Sequence, residues 1–101
     1  MSDKVKVGVI GAGQIGLAHI AGFKSSPKAE VIAVCDASPE RLSAAAQKYG
    51  VPQTFSDYQA LLAVKEIDAV SIALPNYLHA PACLAALKAG KHVCCEKPFA
   101  M

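Results

Sequence analysis

Residues 5–16 read Val5-Lys6-Val7-Gly8-Val9-Ile10-Gly11-Ala12-Gly13-Gln14-Ile15-Gly16, a short apolar run that ends on a G-x-G-x-x-G turn. A run of this length and composition suits a parallel strand buried on both faces. Between a strand and a helix, each of the three glycines answers a separate demand. Gly11 permits the tight turn, Gly13 lets the backbone approach a pyrophosphate, and Gly16 lets the helix pack close to the strand. The first-turn N–H groups around Gln14 and Ile15 then face an anion along the positive end of the helix dipole. Taken alone, the hexapeptide is also compatible with a simple glycine-rich connection between strand and helix.

A second signal lies downstream in register. Asp36 follows Gly16 by 20 residues and ends the apolar run Glu30 to Cys35. An acid at this spacing accepts hydrogen bonds from the adenosine ribose hydroxyls. Its charge repels a 2′-phosphate, so NAD is favoured over NADP. Arg41 or a lysine can offset that repulsion, which keeps NADP possible. The other use of an aspartate here is to cap the next helix. Strand, glycine turn, helix, strand and acid in one register predict dinucleotide binding.

Outward from this unit the chain alternates strand and helix. A helix is expected from Gln14 to about Ser25, with Ile15, Ala18, Ile20 and Phe23 on its buried face and Pro27 just beyond its end. Ser38-Pro39 reads as an N-cap followed by proline at the first helical position, and Gly50 as the stop. Gln53 to Phe55 is a short third strand, and Ser56 is placed to cap a helix through Leu61 and Leu62. Ala69 to Leu74 is the fourth strand, ended by Pro75-Asn76. Pro81 is expected to open a helix with Cys83, Leu84 and Leu87 at helical spacing, which Gly90 ends. His92 to Cys95 is the fifth strand, stopping at Glu96-Lys97-Pro98. His19, in the first helix, and His92, opening a strand, read as structural. The fold class is α/β: a Rossmann-type, doubly wound, mostly parallel sheet in one domain over residues 1–101.

Composition narrows the functional classes. Of 101 residues, 53% are hydrophobic and 18% charged, a globular balance. The net charge of +2 is scattered, with Lys24, Lys28, Lys48, Lys65, Lys88 and Lys91 near the ends of expected helices, where the dipole favours cations. Aromatic and basic residues do not interleave, so no nucleic-acid surface is expected. The start shows no basic and apolar leader pattern, and no apolar run approaches the ~20 residues of a membrane span. Cys35, Cys83, Cys94 and Cys95 form no C-x-x-C pair. They are expected to be thiols in a reducing cytoplasm, without a metal site.

The third region resembles a known family. Leu74-Pro75-Asn76-Tyr77-Leu78-His79, followed by a helix and Ala89-Gly90-Lys91-His92-Val93-Cys94-Cys95-Glu96-Lys97-Pro98, is similar to the PNxxH and AGKHVxxEKP stretches of the Gfo/Idh/MocA oxidoreductases, the glucose–fructose oxidoreductase and inositol dehydrogenase family. The resemblance includes the glycine turn and Asp36 and covers the whole chain. It implies that Leu74, Pro75 and Asn76 line the cofactor path and that Glu96 and Lys97 reach the nicotinamide ribose and the substrate. It also implies that Lys97 is the catalytic lysine, its ammonium on the reacting oxygen. In this family Pro98 often follows a cis bond that turns the chain beside the nicotinamide. His79 belongs to the same stretch as a cofactor residue, with capping or packing its helix as the alternative.

The implied activity is hydride transfer between a secondary alcohol of a sugar, cyclitol or polyol and NAD or NADP. Two alternatives are an NAD-dependent glycoside hydrolase of the same family and a non-catalytic dinucleotide-binding sensor. Family members continue with a further helix, a sixth strand and a larger substrate domain that carries the acid–base partner and usually the oligomer interface. The chain is therefore expected to be an N-terminal part, inactive alone, of a parent that is a homo-oligomer and has no membrane partner.

Overall fold

The computed structural model describes residues 5–25, 27–74 and 76–95. Five strands and four helices follow one another as β1 (Val5–Ile10), α1 (Gln14–Lys24), β2 (Ala29–Cys35), α2 (Pro39–Tyr49), β3 (Gln53–Phe55), α3 (Tyr58–Leu62), β4 (Ala69–Ile72), α4 (Asn76–Lys88) and β5 (His92–Cys95). The strands form one sheet in the order β3-β2-β1-β4-β5. Every pairing is parallel. The chain winds outward from β1 to β3, then returns to β4 on the other side of β1. The order thus reverses between β1 and β4, and ligands of such sheets bind at that reversal, beyond the carboxyl ends of the strands.

Both faces of the central strands are covered, which is why β1, β2 and β4 are largely apolar, whereas the edge strand β3 reads Gln-Thr-Phe. On one face Val7, Val9, Val31 and Val34 pack with Ile20 of α1 and Leu42 and Ala45 of α2. On the other, Ile10, Ile32, Cys35, Val70 and Ile72 pack with Leu61 and Leu62 of α3 and Ala82 and Ala86 of α4. A register irregularity opposite Val7 and Gly8 inserts one extra residue in β2. The inserted residue, Ile32, joins the α3–α4 face, and Val34 returns to the α1–α2 face.

Local chemistry sets the helix ends. Ser38 caps α2 by accepting from the Arg41 N–H at 3.3 Å, and Gly50 ends that helix in the left-handed conformation. The cap of α3 is Asp57, which accepts from the Gln59 N–H at 3.0 Å, and not Ser56. The helix begins one residue later than the serine would require.

Other expectations are corrected. The strand β4 ends at Ile72, so Ala73 and Leu74 leave the ladder at the rim of the sheet. The helix α4 starts at Asn76, and Pro81 lies inside it. The fixed φ of proline is helical, so the ring costs one backbone hydrogen bond while the helix runs on through it to Lys88. The face of α4 toward the sheet is made by Ala82 and Ala86, with Leu84 and Leu87 exposed. In α1, Ala18 is likewise exposed, and Ile20 is the buried anchor.

Lys24, Lys48 and Lys88 do lie in last turns of helices. Lys91 is different: it is buried, and its Nζ donates to the Val64 and Ile67 carbonyls at 2.7 and 2.8 Å, tying β5 to the loop before β4. His19 of α1 is hydrogen-bonded through Nδ1 to the Ser71 hydroxyl of β4, in keeping with a structural role. Among the described residues, no helix is long and apolar enough to cross a membrane.

Candidate cofactor site

The carboxyl ends of the central strands are tied together beyond the strands themselves. The Gly11 N–H donates to the Cys35 carbonyl, the Asp36 N–H to Phe55 and the Ala73 N–H to Ile10, at 2.7, 3.1 and 2.8 Å. These bonds bring the residues after β1, β2, β3 and β4 onto one rim. The cleft there has a volume of about 450 Å³ and is lined by Ile10, Gly11, Gly13, Asp36, Arg41 and Leu74 among others.

The glycines perform distinct steric tasks. Gly11 has φ 106°, and a Cβ there would stand 2.5 Å from the Ala73 carbonyl oxygen. A Cβ on Gly16 would stand 1.8 Å from the Gly11 carbonyl oxygen, so α1 rests directly on the turn. Gly13 has room: the nearest atom to an added Cβ is Arg41 Nη1 at 3.7 Å, on the cleft side. Two glycines are thus demanded by the fold, and the third keeps a surface bare. Gly13 is also the N-cap of α1, where it offers no side-chain acceptor, and the first turn holds no acid. An anion can serve these amide groups instead.

Asp36 anchors the rim. Its Oδ2 accepts from the Ala12 N–H at 2.7 Å and its Oδ1 from the Ser38 N–H at 2.8 Å. The carboxylate steadies the turn into α2 and the glycine loop together, while the cap of α2 itself is Ser38 and not Asp36. Each oxygen retains a lone pair for a ribose hydroxyl. Arg41 Nη1 lies 3.9 Å from Asp36 Oδ2, with the arginine side chain 62% exposed and the aspartate 10%. So open an ion pair contributes little to stability. Its planar guanidinium stands instead at the cleft mouth, over Gly13 and Asp36. Behind them the Cys35 thiol is pushed up to about 11, first by burial and then by the charges of Asp36 and Asp57. Cys35 is therefore a neutral wall of the cleft at physiological pH and not a nucleophile.

The residues present fit a dinucleotide: a bare glycine turn for the pyrophosphate, an oriented carboxylate for the ribose, and a cleft between them. Gly11, Gly13, Asp36, Arg41 and Leu74 line one cleft, and Gly16 lies against Gly11 beneath the turn. Gln14 and Ile15 open α1, and Asn76 and His79 lie in α4; their side chains lie outside what is described. Pro75, Glu96, Lys97 and Pro98 lie outside the described residues. Sequence reasoning missed Ala12, whose N–H holds Asp36, and Ser56, Asp57, Tyr58 and Ala73 in the cleft wall. Their signal was position, since all of them follow the carboxyl ends of strands.

Residues 5–101 match the oxidoreductase family with an NAD-binding Rossmann fold, GFO_IDH_MocA. The chain belongs to this family. It is 41% identical to D-glucoside 3-dehydrogenase of Escherichia coli over 99% of its own length and 29% of that protein's. The scyllo-inositol dehydrogenase of Lactobacillus casei, solved with NAD(H) and scyllo-inositol, superposes with a TM-score of 0.88 at 33% identity, over 95% of this chain and 28% of that one. A mutant 3-ketoreductase of Actinomadura kijaniata, solved with TDP-benzene and NADP, gives a TM-score of 0.88 at 34% identity, over 95% and 31%. This chain spans about 30% of the length of such relatives. Its cofactor is a nicotinamide dinucleotide, the ligand of the family and of both solved neighbours.

Proposed function

We propose that this chain provides the cofactor-binding part of an NAD(P)-dependent dehydrogenase that oxidises a secondary alcohol of a sugar, cyclitol or related polyol. The observation that carries the proposal is the anchored Asp36 carboxylate beside a bare glycine turn, a site built for the adenosine end of the cofactor. The named relatives support the substrate class, since they act on glucosides and inositols. They are dehydrogenases, which favours this reading over a glycoside hydrolase or a sensor. NAD is preferred over NADP because Asp36 opposes a 2′-phosphate, with Arg41 moderating the preference.

The nicotinamide, when bound, supplies the hydride acceptor. The chain's own contribution is to fix the cofactor and to place a cation at the reacting oxygen. Gly11, Gly13 and the amides of Gln14 and Ile15 hold the pyrophosphate. The family resemblance assigns Leu74, Pro75, Asn76 and His79 to the cofactor path and Glu96 and Lys97 to the nicotinamide ribose and the substrate, with Pro98 next in the same stretch. The acid–base partner would take the hydroxyl proton, and the Lys97 ammonium would stabilise the alkoxide character on that oxygen while the carbon gives up its hydride in a site closed to water. Closure belongs to a separate substrate domain, which also supplies the acid–base partner and a homo-oligomer interface. The protein acts in the cytoplasm, with neither nucleic acid nor membrane as partner.

The test is Lys97→Ala in the protein carrying its substrate domain, assayed with inositols and glucosides. We expect kcat to fall by about 10²- to 10³-fold. The Kd for NAD should change by less than about threefold, the pattern of an interaction made in the transition state. Near-normal turnover in the variant would remove Lys97 from the reaction.

A further inference from the structure

The far wall of the cleft, beyond Asp36, is built by Ser56, Asp57 and Tyr58, with Cys35 and Ala37 on the bed between them. The order β3-β2-β1 sets this wall on the opposite side of Asp36 from the glycine turn. With the pyrophosphate at Gly13 and the ribose at Asp36, the remaining part of the nucleoside, its base, lies over this wall. A role for the wall in recognising the base rests on that dinucleotide reading of the cleft.

The bed is apolar and takes the flat face of a base. The edge is where one base can be told from another. Asp57 is held there as the cap of α3, with Oδ1 accepting from the Gln59 N–H at 3.0 Å. This bond fixes the carboxylate and leaves its second oxygen as an acceptor at the cleft. An ionised carboxylate only accepts. Asp36 and Asp57 flank the same bed, and both raise the Cys35 thiol that lies between them. On the Asp57 side of the bed, away from the Arg41 guanidinium beside Asp36, an acceptor-only carboxylate favours a base edge bearing donors and disfavours one bearing an oxo group. Adenine presents an amino group at C6, and hypoxanthine an oxygen.

We infer that Asp57 selects the base of the cofactor, its second carboxylate oxygen accepting a hydrogen bond from the 6-amino group of adenine.

Calorimetric titration with NAD and with nicotinamide hypoxanthine dinucleotide tests this. The wild-type protein should bind NAD about tenfold more tightly, as expected for one hydrogen bond to a charged group at an open edge. In Asp57→Asn the cap is kept, because asparagine is as good at this position as aspartate. Its amide can also donate to an oxo group, so the ratio should fall to within about threefold. Asp57→Ser also keeps a capping hydroxyl but is too short to reach the base. It should bring the NAD affinity down to that of the hypoxanthine dinucleotide. Equal affinities in the wild type, or a tenfold ratio that persists in both variants, would overturn the inference. Failure of the wild type to bind either dinucleotide would overturn the reading of the cleft itself.

Discussion

The two crossovers flanking the strand-order reversal bring a helix close to the sheet in different ways. In β1–α1 the approach is backbone on backbone: a Cβ at Gly16 would sit 1.8 Å from the Gly11 oxygen. In β4–α4 the approach is made by Ala82 and Ala86, fully buried, with Leu84 and Leu87 59% and 60% exposed. The first demand can be met by glycine alone, so residue type and spacing announce it. The second is met by alanine, which suits almost any helical position. A helix apolar on most sides gives no period from which to pick the buried one. Closeness is legible where sterics exclude every alternative, and illegible where a common residue suffices.

The contrast is sharpest inside the glycine turn. Gly16→Ala should prevent folding or destabilise by more than about 3 kcal/mol, because the methyl meets backbone that cannot move aside. Thermal unfolding measures this, and a melting temperature close to that of the wild type would break the comparison at its stronger end. Gly13→Val should behave in the opposite way. Its side chain points into open cleft, so stability should change by less than about 1 kcal/mol. NAD affinity should fall by more than about a hundredfold as the pyrophosphate is blocked. The two substitutions separate a glycine kept for the fold from one kept for the ligand.

The same distinction explains how much of the site was legible. Asp36 could be found because its distance from Gly16 is set by one helix and one strand, both local. Asp57 lies beyond β3, and its arrival at the cleft depends on the pairing of β3 with β2, a contact that no local spacing encodes. Lys91 was the most misleading residue. A lysine after a helix-ending glycine reads as a solvated cation near a dipole. Its ammonium instead holds two carbonyls of a loop 24 and 27 residues away in sequence. Lys91→Met keeps the stem packed and removes the donors. It should cost about 2 kcal/mol in urea unfolding, since the buried Ile67 carbonyl loses the ammonium and the Val64 carbonyl keeps only the Ile67 N–H. An unchanged midpoint would mean that water serves those carbonyls equally well, and that β5 is held by its ladder alone.

The smallest effect lies at Cys35, on the nucleotide side of the comparison. Its thiol ionises at about 11 in the folded chain against 9.0 for an ordinary cysteine. Between these values the folded state holds a proton that the unfolded state has lost. The neutral thiol's contribution is thus fully present below about pH 9 and is lost as pH rises toward 11, by an amount on the order of 2 kcal/mol. Lysines and tyrosines titrate in the same range, so the useful quantity is the difference between wild type and Cys35→Ala. Cavity formation lowers the stability of the variant at neutral pH, but its profile should be flatter above pH 9. The gap between the two curves should therefore narrow from pH 9 to 11. Parallel curves would show that the thiol does not feel the burial and the two carboxylates around it. The placement of Asp36 and Asp57 on either side of that thiol would then lose its support.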